Sequence, residues 1–206
     1  MNVQSQPETT SERSTFSVRS ILSWLLTVAL LLCAAGILFI NTHAKVLVEG
    51  DSMNVTLQNG EVLCIDQKFE AKRGDIVIID TSAYLDENLG FISDEQGNSF
   101  IIKRLIAVEG DSVYCSEGVV YICYEGQSEY VPLEEQYVSS EYTTEDFATV
   151  TVGEGEIFVM GDNRSPRGSL DSRAVGCFLR SELIAVVPDW AYAVRGFTTF
   201  WYNLLN

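Results

Sequence analysis

Histidine is nearly absent from this chain, because only His43 among the 206 residues carries an imidazole. Hydrolases that use a hydroxyl or thiol nucleophile most often employ a histidine as the base that removes its proton. His43 follows the longest apolar stretch of the sequence, with two residues between them. A hydroxyl nucleophile in this chain would therefore need a different base.

Basic residues are also scarce. The chain has 13 lysines and arginines against 29 aspartates and glutamates, which gives a net charge of −16. Such a protein is repelled by the phosphates of nucleic acid and by anionic lipid headgroups. We therefore expect no nucleic-acid partner.

The five cysteines show no CxxC pair and no Cys/His cluster with metal-ligand spacing, so no metal site is expected. Cys115 and Cys123 lie on a predicted hairpin over 113–123. The predicted register places Cys115 opposite about Val120 and Cys123 opposite about Ser112, so these two cysteines do not face each other. Free thiols are favoured, and a disulfide would require another register.

One long apolar run is present, because residues 21–40 contain no charge. Twenty helical residues span about 30 Å, the thickness of the hydrocarbon core of a bilayer. The pattern predicts a cytoplasmic tail over 1–20 that is polar and disordered, a transmembrane anchor over 21–41 and an extracytoplasmic domain over 42–206. Arg13 and Arg19 before the run favour a cytoplasmic N-terminus. A cleaved signal peptide is the alternative, but apolar residues continue beyond the small residues at 34–36.

The domain after the anchor is rich in short β-branched and aromatic segments separated by glycines, which predicts an all-β domain, either barrel-like or a folded mixed sheet. No helical period of useful length is found after residue 42. The acidic stretches 82–99 and 125–146 are predicted to be surface loops. The aromatic segment 197–202 is either a final strand in the core or a segment at the lipid headgroups. Strands are predicted at 45–48, 61–66, 75–80, 100–108, 112–114, 119–124, 157–160, 185–187 and 191–194.

Two residues are candidates for the missing nucleophile and base. Ser52 lies in Gly50-Asp51-Ser52-Met53, and Lys103 lies in an apolar strand pattern. Burial in such a strand disfavours the charged amine and can make it a neutral base. Taken singly, a serine beside a glycine is more often a turn residue, and a lysine in an apolar run more often reaches solvent. The Gly-x-Ser-x-Gly elbow of α/β hydrolases is absent.

The order of five segments is more specific than either residue. They are 50–57, 73–77, 103–111, 161–164 and 169–173, and they follow the apolar run. Together they resemble the bacterial type I signal peptidases, in a form close to that of Gram-positive bacteria. These are membrane-anchored serine endopeptidases that remove signal peptides from exported proteins. The resemblance extends from the apolar run to about residue 176, and it implies a mostly β, signal-peptidase-like catalytic domain behind one N-terminal transmembrane helix.

The resemblance also implies a role for particular residues. Ser52 matches the nucleophile and Lys103 the general base, with no cofactor. The backbone N–H of Ser52 would meet the developing oxyanion. Some relatives add a hydroxyl two residues before the nucleophile, where this chain has Gly50. The supporting residues implied are Ser169, which orients the lysine, and two charged pairs, Arg104 with Asp162 and Asp171 with Arg173.

The substrates implied are preproteins whose signal peptides end in an Ala-x-Ala type of site, presented at the outer surface of a lipid bilayer. Met53, Ile101 and Leu105 are candidate walls for the shallow apolar pockets that such small residues need. Each of the three is equally well interpreted as ordinary core.

The sequence departs from the family pattern at three places. Val55 and Glu109 replace common prolines, and 165–168 lengthens the spacing before Ser169 by two residues, which makes Ser165 a rival for the orienting serine. Two other functions remain as alternatives. A self-cleaving repressor would share the serine–lysine chemistry but would bring a DNA-binding module, and an inactive homologue would serve as an accessory or assembly protein at the cell surface.

Overall fold

The computed structural model describes residues 18–84 and 99–205. The chain divides into two compact units, Met1–Asn41 and Thr42–Asn206. In the first unit, helix α1 (Val18–Thr42) has a mean hydropathy of 2.5 over Val18–Phe39, and it is long and apolar enough to cross a membrane. The predicted disordered tail falls mostly outside the described residues, but its last three residues belong to α1.

The second unit begins with a two-stranded antiparallel sheet of β1 (Lys45–Leu47) and β2 (Val62–Cys64). A bridge between Asp66 and Val186 links the chain after β2 to a strand of the next sheet. That sheet has five antiparallel strands in the order β10-β9-β4-β3-β11. Its strands are β3 (Ile76–Asp80), β4 (Phe100–Val108), β9 (Glu156–Met160), β10 (Phe178–Leu179) and β11 (Leu183–Val187).

A further antiparallel sheet has four strands in the order β7-β6-β5-β8. The cysteine register predicted for its hairpin is confirmed, since Cys115 faces Val120 and Ser112 faces Cys123. All five cysteines lie in the described part of the chain and are free thiols. The strands are β5 (Ser112–Ser116), β6 (Val119–Cys123), β7 (Val131–Pro132) and β8 (Phe147–Thr151).

Two apolar clusters hold these sheets together. One covers a face of the five-stranded sheet and includes Leu105 and Val77. The other joins that sheet to the β5–β6 hairpin through Phe158 and Ile122. Strand β4, the middle strand of its sheet, contributes to both clusters, so the residues it carries are held from both sides.

The prediction of a mostly β domain is confirmed, and in the described residues the open strand orders form folded sheets and no closed barrel. The prediction of no helix after residue 42 is wrong. A short helix α2 (Ser172–Val175) and a long helix α3 (Asp189–Leu205) are present. The predicted strand at 191–194 and the possible final strand at 197–202 are wrong for the same reason, because both segments lie inside α3.

The two acidic stretches predicted to be surface loops, 82–99 and 125–146, differ in the structure. Residues Ser82–Tyr84 form a 3₁₀ turn, and most of the predicted loop over 82–99 lies outside the described residues. The predicted loop over 125–146 is only partly a surface loop, because it contains β7 and sends side chains towards the region described below.

Candidate active site

Lys103 lies on the middle strand of the five-stranded sheet, opposite Val77 of β3. Alternation along β4 places it on the same face as Ile101 and Leu105, which belong to the first apolar cluster. Its exposed fraction is 3%, so its amine is surrounded by protein and not by water. Burial lowers the pKa of Lys103 from the ordinary 10.5 to about 8, against the opposing effect of the negative charge on Asp171.

Ser52 lies in a compact turn between β1 and β2. The buried side chains of Met53 and Leu57 fix this turn in the core, and the Leu57 N–H donates to the Met53 carbonyl at 2.9 Å. Gly50 enters the turn with φ of +79°, a left-handed conformation that glycine adopts without strain. A serine or threonine at that position would be strained, which accounts for the glycine in this form of the motif.

The two segments bring the candidate nucleophile and base into contact. Lys103 Nζ lies 2.7 Å from Ser52 Oγ and 3.0 Å from the carbonyl oxygen of Ile102. A charged amine donates in this contact. Once neutral, the same nitrogen can accept the hydroxyl proton, which is the geometry that proton abstraction requires.

A segment after β9 approaches the same turn from the other side. The N–H of Asn163 donates to the Ser52 carbonyl at 3.0 Å, and its side-chain amide donates to the Asp51 carbonyl at 3.0 Å. A Cβ added at Gly161 would lie 2.4 Å from the Ser52 carbonyl oxygen and 2.3 Å from Ser169 Oγ. Only glycine therefore allows these three backbone segments to come together.

Arg104 points to the opposite face of β4 from Lys103 and forms a bidentate pair with Asp162, with 2.8 Å between Nε and Oδ1. Asp162 also accepts a hydrogen bond from the hydroxyl of Thr56, in the turn that carries Ser52. The Arg104 guanidinium carbon lies 3.9 Å from the centre of the Tyr137 ring. This pair therefore connects β4, the Ser52 turn and the acidic stretch.

Asp171 and Arg173 form the second predicted pair, also bidentate, at 2.9 and 2.8 Å. Asp171 caps α2 and accepts the Gly161 N–H at 2.9 Å. Burial by itself would raise the pKa of Asp171, but the Arg173 guanidinium and the Gly161 N–H lower it overall. A carboxylate charge is thus maintained close to the lysine.

Arg164 is fully buried and occupies the centre of a third network. Its guanidinium pairs with Glu135 and donates to Thr144 Oγ1 at 3.0 Å, while its Nε donates to the Gly161 carbonyl at 2.7 Å. Glu135 and Thr144 both come from the acidic stretch 125–146. That stretch is therefore joined to the loop holding the Ser52 turn.

Comparison of this chain with known proteins identifies related proteins. Residues 21–190 match the model of the family described as signal peptidase, peptidase S26. The chain belongs to this peptidase family.

Individual members of the family cover most of the chain. Signal peptidase I of Bacillus licheniformis is 37% identical over 172 residues, which cover 80% of this chain and 84% of that protein. Signal peptidase I S of Bacillus subtilis (strain 168) is 29% identical over 180 residues, covering 80% of this chain and 85% of that protein. A crystal structure of a signal peptidase I from Enterococcus faecalis V583 matches with a TM-score of 0.42 and 27% identity, over 58% of this chain and 98% of that one.

Ser169 and its rival Ser165 have different surroundings in this S26 peptidase. The Ser165 hydroxyl donates to Asn163 Oδ1 at 2.6 Å. The Ser169 hydroxyl is buried and makes no hydrogen bond of normal geometry in the described part of the chain, although it is near enough to lower the pKa of Asp171. The Ser165 hydroxyl is thus bound to Asn163, whereas the buried Ser169 hydroxyl lies near Asp171.

The candidate pocket walls are not equivalent. Ile101 is half-buried, whereas Met53 and Leu105 are 2% and 0% exposed. Their role towards substrate stays a prediction. A cavity of about 360 Å³ lies beside Ser169 and Arg173, between segments 145–147 and 165–174.

No group of three or more His, Cys, Asp or Glu side chains is arranged to hold a metal ion within residues 18–84 and 99–205. Sequence reasoning did not find Thr56, Tyr137, Glu135 or Arg164 as parts of the site. Arg164 and Thr56 had a signal, since they lie in the 161–164 and 50–57 segments. For Tyr137 and Glu135, nothing in the local sequence indicates a contact with residues more than twenty positions away.

Proposed function

We propose that this chain is a signal peptidase I, a membrane-bound serine endopeptidase that removes N-terminal signal peptides from exported preproteins with a Ser52–Lys103 dyad. The observation that carries the proposal is the 2.7 Å contact between Lys103 Nζ and Ser52 Oγ at a buried amine whose pKa is lowered to about 8. The named relatives support the reaction, since they are signal peptidases I.

The reaction follows from these groups. Neutral Lys103 accepts the hydroxyl proton as Ser52 Oγ attacks the carbonyl carbon of the scissile peptide. The tetrahedral oxyanion is stabilised by the backbone N–H of Ser52. Lysine then returns the proton to the leaving amine, the C–N bond breaks, and the signal peptide remains on Ser52 as an ester. Water, deprotonated by the same amine, hydrolyses the ester and releases the signal peptide.

The surrounding residues act as positioning groups in this proposal. Ser169 would hold the amine of Lys103 in the direction of Ser52; its hydroxyl is buried and makes no hydrogen bond of normal geometry in the described residues. Asp162 holds both Arg104 and Thr56, and thereby fixes the Ser52 turn against β4. Asp171, held ionised by Arg173, stabilises the lysine while it carries the proton.

The proposed substrates are preproteins with small residues, typically alanine, one and three positions before the cut. The proposed location is the cell membrane, with α1 as the anchor, a cytoplasmic N-terminus and the domain from residue 42 outside. An inactive accessory role is the alternative. The retention of both dyad residues in hydrogen-bonding contact argues against it.

Cleavage of a preprotein with an Ala-x-Ala site by the full-length protein in detergent or vesicles tests the proposal. We expect Ser52→Ala and Lys103→Ala each to lower the rate at least 1,000-fold, because the nucleophile or its base is removed. Ser169→Ala should lower it about 10- to 100-fold, and Ser165→Ala should have little effect.

The matched control is Lys68→Ala, which removes an exposed lysine side chain that takes part in none of the site contacts described above and should leave the rate unchanged. Far-UV circular dichroism and the melting temperature establish that each variant is folded. Cleavage at the parent rate by a folded Ser52→Ala or Lys103→Ala protein would exclude the dyad. Loss of cleavage in Lys68→Ala as well would indicate an unspecific effect.

A further inference from the structure

A cavity of about 360 Å³ lies beside the proposed site, between segments 145–147 and 165–174. Its volume is at the lower end of the range of ligand pockets, which is roughly 300 to 1,000 Å³. Ser169 belongs to its wall, and a Cβ added at Gly161 would overlap both Ser169 Oγ and the carbonyl oxygen of Ser52. The wall of the cavity is therefore in the immediate neighbourhood of the proposed nucleophile.

The spacer loop, as we call residues 165–168, forms part of this wall and is tied to the turn of the nucleophile. Asn163 Oδ1 accepts the N–H of Ser165 at 3.1 Å and its hydroxyl at 2.6 Å. The Gly168 N–H donates to the Ser165 carbonyl at 2.8 Å, which closes the loop. The side-chain amide of Asn163 donates to the carbonyl of Asp51 at 3.0 Å. The spacer loop is thus held in one position relative to the proposed nucleophile.

Arg167 is the charged residue of the spacer loop, and it lines the cavity. Its φ of +61° is a left-handed conformation, which is uncommon for a residue with a side chain and indicates that the loop constrains it. Its guanidinium forms no ion pair within residues 18–84 and 99–205. Arg173, the other arginine of the cavity, is already paired with Asp171.

The opposite wall, at the start of β8, carries two carboxylates that already have partners. Asp146 accepts the N–H of Gly118 at 3.1 Å. Glu145 lies close to Arg173. Burial by itself would lower the pKa of Arg173, but Asp171 and, more weakly, Glu145 raise it overall. Both carboxylates are therefore partly neutralised, whereas the guanidinium of the spacer loop is not.

The chemistry of the substrate differs on the two sides of the cut. The proposed walls for the small residues before the cut, Met53, Ile101 and Leu105, belong to the nucleophile turn and to β4, and none of them lines this cavity. Further before the cut, a signal peptide is a continuous apolar segment. Charged side chains on two walls suit such a segment poorly, because they would lose water without gaining a polar partner. The cavity suits the start of the mature protein better.

We propose that this cavity binds the side chain of the second residue after the scissile bond, and that Arg167 favours a carboxylate there. The inference rests on the proposed function, since it assigns a further part of the substrate. Phe147, Leu170 and Ala174 supply apolar surface for the aliphatic part of a glutamate, while its carboxylate binds the guanidinium. The enzyme then selects its substrates on both sides of the cut.

Two peptides test the charge preference. They share an Ala-x-Ala site and differ only in the second residue after the cut, which is glutamate or lysine. We expect the full-length protein in detergent to cleave the glutamate peptide with a kcat/KM about three- to fivefold higher, mainly through KM, as is usual for an exposed charge pair. In about 0.5 M NaCl the preference should shrink, because salt screens exposed charges.

Arg167→Glu should abolish or invert this preference, because it reverses the charge that faces the substrate. Arg180→Glu is the matched control, since it changes the net charge equally at an exposed arginine that does not line the cavity. It should retain the preference of the parent protein. If Arg167→Glu does not fold, as judged by its melting temperature, Arg167→Gln replaces it, with a smaller change in the same direction.

A second test fills the apolar part of the cavity. Ala174→Phe should lower kcat/KM about fivefold or more for the glutamate peptide, but less than about twofold for a peptide with glycine at the same position, because only the longer side chain needs the space. Ala148→Phe is the matched control, since Ala148 is an exposed alanine of β8 that does not line the cavity. It should change neither rate.

An equal ratio of glutamate to lysine cleavage in the parent, Arg167→Glu and Arg180→Glu proteins would overturn the inference. All three would still cleave, so the proposed function would be unaffected. If Arg167→Glu instead changed the preference only for a charge placed five residues before the cut, the cavity would bind the signal peptide, and the inference would again be wrong. Absence of any cleavage that depends on Ser52 would refute the proposed function and this inference with it.

Discussion

At the scale of single residues, Lys103 combines two properties that exclude each other in water. It is a basic group, yet its position on the middle strand beside Val77 and Leu105 removes the solvent that would keep it charged. Asp171, the carboxylate that opposes this shift most strongly, is already paired with Arg173. The lowered pKa thus follows from where β4 lies in the sheet.

Activity should therefore follow the ionisation of this amine. We expect kcat/KM to rise about tenfold per pH unit up to a midpoint near the lowered pKa of about 8, and to be level above it. At pH 6 it should be about 100-fold below the plateau. Initial rates on a peptide substrate between pH 5.5 and 9.5 give the profile, with tryptophan emission as a check on folding. A midpoint near 6.5, as for an unperturbed histidine, would contradict this assignment.

The same burial predicts a cost to stability that is independent of catalysis. The pKa of Lys103 is about 8 in the folded protein and 10.5 in its ordinary state, so the unfolded chain binds more protons between these values and stability rises with pH across them. Lys103→Met removes the charge at similar volume. We expect it to increase the free energy of unfolding by up to about 3 kcal/mol below pH 8.

Urea unfolding of both proteins in detergent at pH 6.5 and 9.5 measures this difference. The advantage of Lys103→Met should shrink at the higher pH, because the amine of the parent protein loses its proton on folding above pH 8 and this loss costs less free energy as the pH approaches the ordinary pKa of 10.5. Lys68→Met, at an exposed site, should change stability by less than about 0.5 kcal/mol at either pH. An advantage that grows with pH would show that the sign of the pKa shift is wrong.

The apolar strand pattern around Lys103 made its amine a candidate for burial, although a lysine in such a run more often reaches solvent. The contact between Lys103 and Ser52 could not, because nothing in either segment encodes a distance across 51 residues. The order of motifs supplied that pairing through resemblance to a family. For the same reason Thr56, whose hydroxyl binds Asp162 across 106 residues, was not found.

At the scale of elements, the acidic stretch 125–146 shows how composition can mislead. Its charge and weak periodicity predicted a surface loop, but Glu135 supplies the counterion of the fully buried Arg164. Arg164 in turn holds the Gly161 carbonyl, within the segment whose Asn163 binds the Ser52 turn. The stretch is therefore part of the support of the candidate site.

Glu135→Gln tests this support. The buried Arg164 would lose its counterion, so we expect the free energy of unfolding to fall by about 2 kcal/mol or more, and kcat to fall with little change in KM. Glu134→Gln is the matched control, because Glu134 is the exposed neighbour and the net charge changes equally. Urea unfolding and steady-state kinetics provide the two readouts. Equal behaviour of the two variants would show that the buried pair is unimportant.

Helix α3 was missed for a related reason. Its sequence is rich in aromatic and β-branched residues, and these local preferences predicted strands at 191–194 and 197–202. Apolar residues occupy both the exposed and the buried face of this 17-residue helix. A helical period in the sequence is therefore hard to recognise, because no polar face alternates with an apolar one. Contacts with β2 and with Glu61 override the local preference.

At the scale of the whole molecule, the sequence predicts which segments are strands better than it predicts which strands lie side by side in a sheet. Most strand positions and the β5–β6 register are confirmed, because alternation and turns are local signals. The order β10-β9-β4-β3-β11 joins segments far apart in the chain and has no such signal. That order is nevertheless what places Lys103 in the middle of the sheet.

The packing of α3 on β2 also has a consequence for the way this protein is made. The ribosome produces β2 well before its covering helix α3, because the two elements are far apart in the chain. The apolar residues of β2 therefore stay without this cover until α3 has been synthesised. A truncated chain that lacks α3 would expose the apolar residues of β2. We expect chaperones or proteases to recognise such a product.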